Sequence, residues 1–313
     1  MKKLGVFLLL LISNNSFATQ KISLMLDWFV NPDHAAIIVA QQKGFFKKHD
    51  LEVEISEPAD PSMPPKLVAA GKVDMAVGYQ PQLQMQVDNG LPLVRVATLI
   101  ATPLNTVIVL KKSGIKSMAD LKGKTIGFSV SGFEDSLLSK MLQQSGLSLQ
   151  DVHLVNVNWS LSPSLLTGKV DAVIGGFRNF ELNQLEIEKE PGFALYPEEN
   201  GVPAYDELVL TINKNQVDKK KFDTFLTALE EATLYTINHP DAAWKVFVSY
   251  KPKELDNRLN HMAWKDTLPR LALRPRALDK QRYQRMGEFL FKLGVTEHQH
   301  PLSDYAVELP VNQ

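Results

Sequence analysis

Leu24 to Ile55 reads LMLDWFVNPDHAAIIVAQQKGFFKKHDLEVEI. Ile22 to Leu26 is short and apolar, which is the pattern of a buried strand. Asp27-Trp28-Phe29-Val30-Asn31-Pro32-Asp33-His34 is rich in turn formers and predicts a loop, with Asp33 placed to cap the helix that follows. In that helix Ala36, Ile37, Ala40 and Phe45 can share a core face, and Lys47 and Lys48 stand near its end. Leu51, Val53 and Ile55 alternate with Glu52 and Glu54, as a half-buried strand requires. Strand, helix and strand at this spacing make a βαβ unit, which implies a parallel sheet with helices on its faces. Ligands gather at the carboxyl ends of such strands. Asp27 to His34 lies at one, and it brings an indole, an amide and an imidazole together.

Upstream, Met1-Lys2-Lys3, the apolar run Leu4 to Ile12 and the small residues of Ser16-Phe17-Ala18 make the pattern of a secretory signal peptide. The run is too short for a membrane span, so the expected signal is 1–18 and the mature chain starts near Thr19. Cysteine is absent, which excludes a lipoprotein anchor, disulfides and thiolate chemistry. The expected location is therefore the periplasm, without a lipid anchor. The net charge is −1, from 34 basic and 35 acidic residues. With no basic tract, nucleic acid is excluded as an expected partner. The chain is long for one core and comfortable for two.

Downstream, Val73 to Tyr79, Leu93 to Ile100 and Thr106 to Leu110 read as strands, and Pro81 opens a helix. A boundary is expected at Lys111 to Gly114. Thr125 to Val130, Val152 to Val157 and Val170 to Ile174 are further strands, and a helix follows Ser131-Gly132-Phe133. Gly71-Lys72-Val73-Asp74 is echoed by Gly168-Lys169-Val170-Asp171, each before an apolar strand that ends in glycine and an aromatic, Tyr79 or Phe177. The repetition predicts two similar α/β lobes, 19–110 and 111–205. Glu207 to Ile212 would return to the first lobe, and 206–313 would complete it with helices at Asp218 to Asn238, after Pro240, and at Asp279 to Leu293. The aromatics of this last third read as core by their helical spacing. His298-x-His300 has no third ligand close in the chain and reads as surface.

LDWFVNPDHAAIIVAQQKGFFKKHDLEVEI, GKVDMAVGY, DLKGKTIGF, GKVDAVIGG and GVPAYDELVL resemble the ThiY-like periplasmic binding proteins of ABC importers for thiamine pyrimidine precursors. The resemblance covers about Lys21 to Tyr250. KGFF and DLKGK are shared with binding proteins for sulfonates, nitrate and riboflavin, whereas LDWxxNxxH and VPxYDELV narrow it to the pyrimidine branch. It implies a type II periplasmic-binding fold with two lobes, each a mainly parallel sheet flanked by helices, that close on a ligand. It also implies a monomer serving an ABC permease and its ATPase, and no cofactor. The same branch holds a fungal pyrimidine synthase that uses pyridoxal phosphate, iron and a Lys-x-x-x-His sequence. The matching positions here are Gly78 and Gln82, so an enzyme is disfavoured: a Schiff base needs an amine. Riboflavin or a sulfonate remains the alternative ligand, with Arg178 as the one candidate cation for a sulfonate.

The expected ligand-binding residues follow from these positions. Trp28 can stack on a planar ring, and Asn31 and His34 can read a polar edge. Tyr79 with Gln80, and Phe177, end the two echo strands and could close on opposite faces of a ring. Ser131, Gly132 and Phe133 open a helix whose free N–H groups suit a polar group. Tyr205 and Glu207 lie at the return crossing, where Glu207 is expected to be the principal polar anchor for an exocyclic amino group.

Overall fold

The computed structural model describes residues 19–309; the expected signal peptide lies outside them. Ten strands form two five-stranded sheets. They are β1 (Gln20–Met25), β2 (Leu51–Ser56), β3 (Met75–Gly78), β4 (Leu93–Ile100), β5 (Asn105–Leu110), β6 (Thr125–Phe128), β7 (His153–Asn156), β8 (Ala172–Phe177), β9 (Gly192–Leu195) and β10 (Leu208–Asn213). The first sheet runs β2-β1-β3-β10-β4 and the second β7-β6-β8-β5-β9. β10 is antiparallel to both its neighbours, as is β5. In each sheet one strand is therefore reversed, and it is the strand that arrives from the other lobe.

The first crossing lies between β4 and β5. β5 belongs to the second sheet, so the lobe changes at 101–104, upstream of the boundary expected at Lys111 to Gly114. The crossing leaves no mark in the pattern of the strands, because every residue of β4 and of β5 is buried alike. Gly114, at φ 77°, ends only a 3-10 turn.

The two echoes do the same work. Gly71 and Gly168 both take left-handed φ, 66° and 70°. Asp74 then accepts from Ser23 N at 2.8 Å in β1, and Asp171 accepts from Thr125 N at 2.8 Å in β6. Each motif turns a helix into a strand and pins that strand to its parallel neighbour, β1 in the first sheet and β6 in the second.

In the opening unit the helix spans Ala35–Gln42, and Gly44 separates it from a short turn of helix at Phe45–Lys48. It buries Ile37, Ile38 and Val39 beneath the long helix Lys219–Asn238, whose Phe225 stacks on Phe46 at 5.0 Å. Asp33 is not the cap: Asn31 Oδ1 accepts from Asp33 N at 2.8 Å and starts a 3-10 turn, Pro32–His34, that feeds the helix. That substitution frees the Asp33 carboxylate for other contacts.

Candidate functional site

A cavity lies between the lobes at the carboxyl ends of β1 and β3 and facing the second sheet. Asp27, Trp28, Asn31, Asp33 and Tyr79 line it from the first lobe. Asn105, Ser129, Val130, Phe133, Glu134, Leu161, Gly175, Phe177, Phe180 and Glu181 line it from the second. Its walls are aromatic. Tyr79 stacks on Phe133 across the cleft at 5.1 Å and 10°, and Phe177 meets Tyr79 edge-on at 6.5 Å. Trp28 packs on Trp159 at 4.3 Å, again joining the lobes. The enclosed space is about 30 Å³, room for roughly one or two waters. Trp28, Leu161, Phe180 and Glu181 also line a second pocket of about 340 Å³.

The polar floor is built from carboxylates. Asp27 accepts from Tyr79 Oη at 2.9 Å and from His34 Nε2 at 2.8 Å. His34 Nδ1 accepts Asn31 N at 3.3 Å, which puts the imidazole proton on Nε2. Asp33 Oδ1 accepts from Asn179 Nδ2 at 2.6 Å and Thr267 Oγ1 at 3.0 Å, while its Oδ2 has no partner. Burial pushes Asp33 up to about 6 against the hydrogen bonds from Asn179 and Thr267. Glu134 Oε2 accepts from Ser129 N at 2.7 Å and Val130 N at 3.1 Å. Its Oε1 lies so close to Gly175 that a Cβ there would sit 2.2 Å away. Glu181 accepts from Phe177 N at 2.7 Å. Burial raises both glutamates to about 8, outweighing their backbone donors. Across from them Asn105 Oδ1 takes the Gly175 N–H at 3.0 Å, and its Nδ2 is buried without a partner.

Thus the cavity offers a free amide donor, a free carboxylate oxygen and neutral-leaning carboxyl groups beside a pair of parallel rings. A flat heterocycle that presents both donors and acceptors along one edge matches this set. No lysine, arginine or histidine is among the lining residues.

Of the residues expected from sequence, Trp28, Asn31, Tyr79, Phe133 and Phe177 line the cavity. His34 sits one layer behind and orients Asp27. Gln80 is buried under the return crossing, where its Oε1 accepts from Asp206 N at 2.8 Å. Ser131 and Gly132 are exposed; Ser129 and Val130 face the cavity in their place because the backbone turns before the helix Glu134–Gln143 starts. Tyr205 is fully buried and outside the lining. Glu207 is also outside it. Its Oε2 accepts from Leu104 N at 2.6 Å and Asn105 N at 2.9 Å, so it ties one crossing to the other. Burial raises Glu207 to about 7 despite those two amides. Glu134, Asp33, Asn105 and Glu181 line the cavity and are not among the residues expected from sequence. The sequence did carry a signal for Glu134, directly after the Ser-Gly-Phe turn. The C-terminal third, read as core, sends Thr267 to Asp33. Arg178, the sulfonate candidate, pairs instead with Glu198 at 2.6 Å and covers the Tyr196 ring.

A family model described as NMT1/THI5 like matches residues 31–243. The chain belongs to the NMT1/THI5-like family. A Haemophilus influenzae relative, provisionally named for thiamine biosynthesis, is 66% identical over 300 residues and 96% of either chain. The formylaminopyrimidine-binding protein of Halalkalibacterium halodurans is 33% identical over 74% of this chain and 71% of its own. A 4-amino-5-hydroxymethyl-2-methylpyrimidine phosphate synthase of Saccharomyces cerevisiae is 32% identical over 78% and 75%. Among solved structures, the alkanesulfonate-binding protein of Xanthomonas axonopodis pv. citri superposes with a TM-score of 0.73 at 15% identity, covering 93% of this chain and 99% of that one. This NMT1/THI5-like chain therefore has the two-lobed periplasmic-binding-protein fold. Family membership leaves two kinds of relative, binders and synthases, and the site must separate them.

Proposed function

We propose that this protein is a periplasmic solute-binding protein that captures a thiamine pyrimidine precursor, formylaminopyrimidine or hydroxymethylpyrimidine, for an ABC importer. The observation that carries the reading is the cleft between the lobes, where Tyr79 and Phe133 lie parallel beside the buried Glu134 carboxyl. A pyrimidine would enter between those rings. Two ring-to-ring contacts need roughly 7–8 Å, against the 5.1 Å between centroids here, so the lobes part by a few ångströms to admit it. Glu134 Oε1 then accepts from the exocyclic amino group, Asn105 Nδ2 donates to a ring nitrogen, and Asp33 Oδ2 takes a substituent hydroxyl or amide N–H. Each bond is made where water is excluded, so an analogue lacking its partner leaves a buried group unpaired.

The lining favours binding over synthesis. With no lysine in the wall, no amine is present to hold pyridoxal phosphate as a Schiff base. By the resemblance of the sequence to the fungal synthases, Gly78 and Gln82 take the places of their lysine and histidine. A sulfonate or phosphate would lack a cationic partner among the lining residues. Calorimetric titration of the chain from Thr19 onward with both pyrimidines, thiamine, riboflavin and taurine tests the reading. Micromolar or tighter binding of a pyrimidine supports it. Silence with both pyrimidines and heat from riboflavin or taurine overturns it.

A further inference from the structure

His298-x-His300 gains in the fold the third group it lacks in the chain. Asp88 is the last residue of the helix Gln80–Asp88, and the C-terminal segment passes over that helix end. Asp88 Oδ1 lies 3.2 Å from His298 Nδ1 and 3.0 Å from His300 Nε2. The ligand atoms of the three residues all fall within 4.8 Å of one another. The carboxylate is fixed by two amides, Glu297 N at 2.7 Å and His298 N at 3.0 Å. On the far side of the ring, His300 Nδ1 faces Asp304 Oδ2 at 3.2 Å. A carboxylate there holds the Nδ1 proton and leaves the Nε2 lone pair pointing at Asp88, the outer-shell arrangement of metal-binding histidines.

We infer that Asp88, His298 and His300 form a binding site for one divalent transition-metal ion, best matched by zinc, with solvent completing its coordination. In a tetrahedral zinc site, bonds of about 2.0–2.1 Å set neighbouring ligand atoms roughly 3.3 Å apart. The observed 3.0 and 3.2 Å from the carboxylate oxygen are close to that, and the two imidazoles offer ligand atoms within 4.8 Å of each other. One carboxylate and two imidazoles suit zinc and exclude calcium or magnesium, which demand oxygen ligands. Asp88 also ends its helix, where the backbone dipole favours a cation. The tail that carries the histidines pairs with β4 through Arg95 and Ala306. A bound ion would therefore staple the tail to the helix that begins next to Tyr79. The competing account of the same distances is a pair of imidazolium–carboxylate hydrogen bonds with no metal.

The test is a competition titration of chelator-treated protein, Thr19 onward, with zinc ions against a chromophoric chelator. One equivalent should bind, with at least a tenfold loss of affinity in His300→Ala and in Asp88→Asn. His153→Ala, an exposed histidine elsewhere, should bind as wild type. His298→Ala guards against misfolding as an explanation, since that side chain is 68% exposed; the melting temperature without zinc should be unchanged. Cobalt in place of zinc should give the intense visible bands of a tetrahedral site. Failure of the folded wild type to take up one equivalent overturns the proposal, as does full binding by the His298→Ala, His300→Ala double variant. Neither result bears on the pyrimidine reading.

Discussion

Replacing Glu134 by Gln changes one atom where the ligand reading is most exposed. Glu134 is 3% exposed, and its Oε2 already accepts two backbone amides. In Glu134→Gln the amide oxygen can keep both of those bonds, which turns the new NH₂ toward the cavity. The group that should accept from the exocyclic amine becomes a donor. A buried donor left facing a donor costs about 1–3 kcal/mol, and 1.4 kcal/mol is a tenfold change in affinity. The expected loss is therefore about 5- to 150-fold in Kd, read by calorimetry with the same pyrimidine for both proteins. The fold should not suffer. Burial raises Glu134 to about 8 without a ligand, so a neutral amide of the same shape asks nothing new of the interior; an amine donating to Oε1 favours the ionised carboxylate instead, and that acceptor is what the amide lacks. A folded variant with wild-type melting temperature that binds the pyrimidine within about twofold of wild type would refute the reasoning, since it would show that Oε1 accepts nothing from the ligand.

Three further outcomes follow from the same geometry. Gly175→Ala would place a Cβ 2.2 Å from Glu134 Oε1 at a φ of 94°. It should both destabilise the protein and abolish pyrimidine binding; tight binding by this variant in titration would mean that Glu134 can move freely. Glu207→Ala orphans the amides of Leu104 and Asn105, so urea denaturation should show a loss of about 1–3 kcal/mol for each, and an unchanged midpoint would remove its role as a clamp. Glu181 has a folded pKa of about 8 against 4.5 unfolded. The folded state thus binds the proton more tightly, and this group's stabilisation is complete below about pH 4.5 and is lost as pH rises through about 8. Calorimetric melting of Glu181→Gln and wild type should show the variant gaining relative stability between pH 5 and pH 9. A difference that stays constant across that range would contradict the assignment.

The architecture was legible because it repeats. Gly71-Lys72-Val73-Asp74 and Gly168-Lys169-Val170-Asp171 need glycine for the left-handed turn and aspartate for the Ser23 and Thr125 amides. A demand on backbone geometry leaves the same residues in both lobes, so two lobes could be counted from the chain. The crossing could not be located. β4 and β5 are buried throughout, and hydrophobicity carries no mark of which sheet a buried strand joins. The ring-bearing wall was legible for a related reason. Trp28, Tyr79 and Phe177 stand at strand ends, where topology alone puts ligands.

The acids were harder, because the direction of a carboxylate is set by its donors. Glu207 and Glu134 are both buried and both accept two consecutive backbone amides. They differ in where those amides lie. The Leu104 and Asn105 amides belong to a crossing, so binding them turns Glu207 into a tie between two chain segments that must flex together as the lobes part. The Ser129 and Val130 amides close a turn within one lobe, so binding them anchors Glu134 locally and leaves Oε1 toward the cleft. The two acids carry one type of interaction into two roles. Spacing along the chain cannot tell them apart, because each role is decided by a partner that only the fold supplies. It follows that a lesion at Glu207 should act on closure and stability, whereas a lesion at Glu134 should act on ligand affinity. Comparing the two variants in one titration and one unfolding experiment separates the hinge from the site.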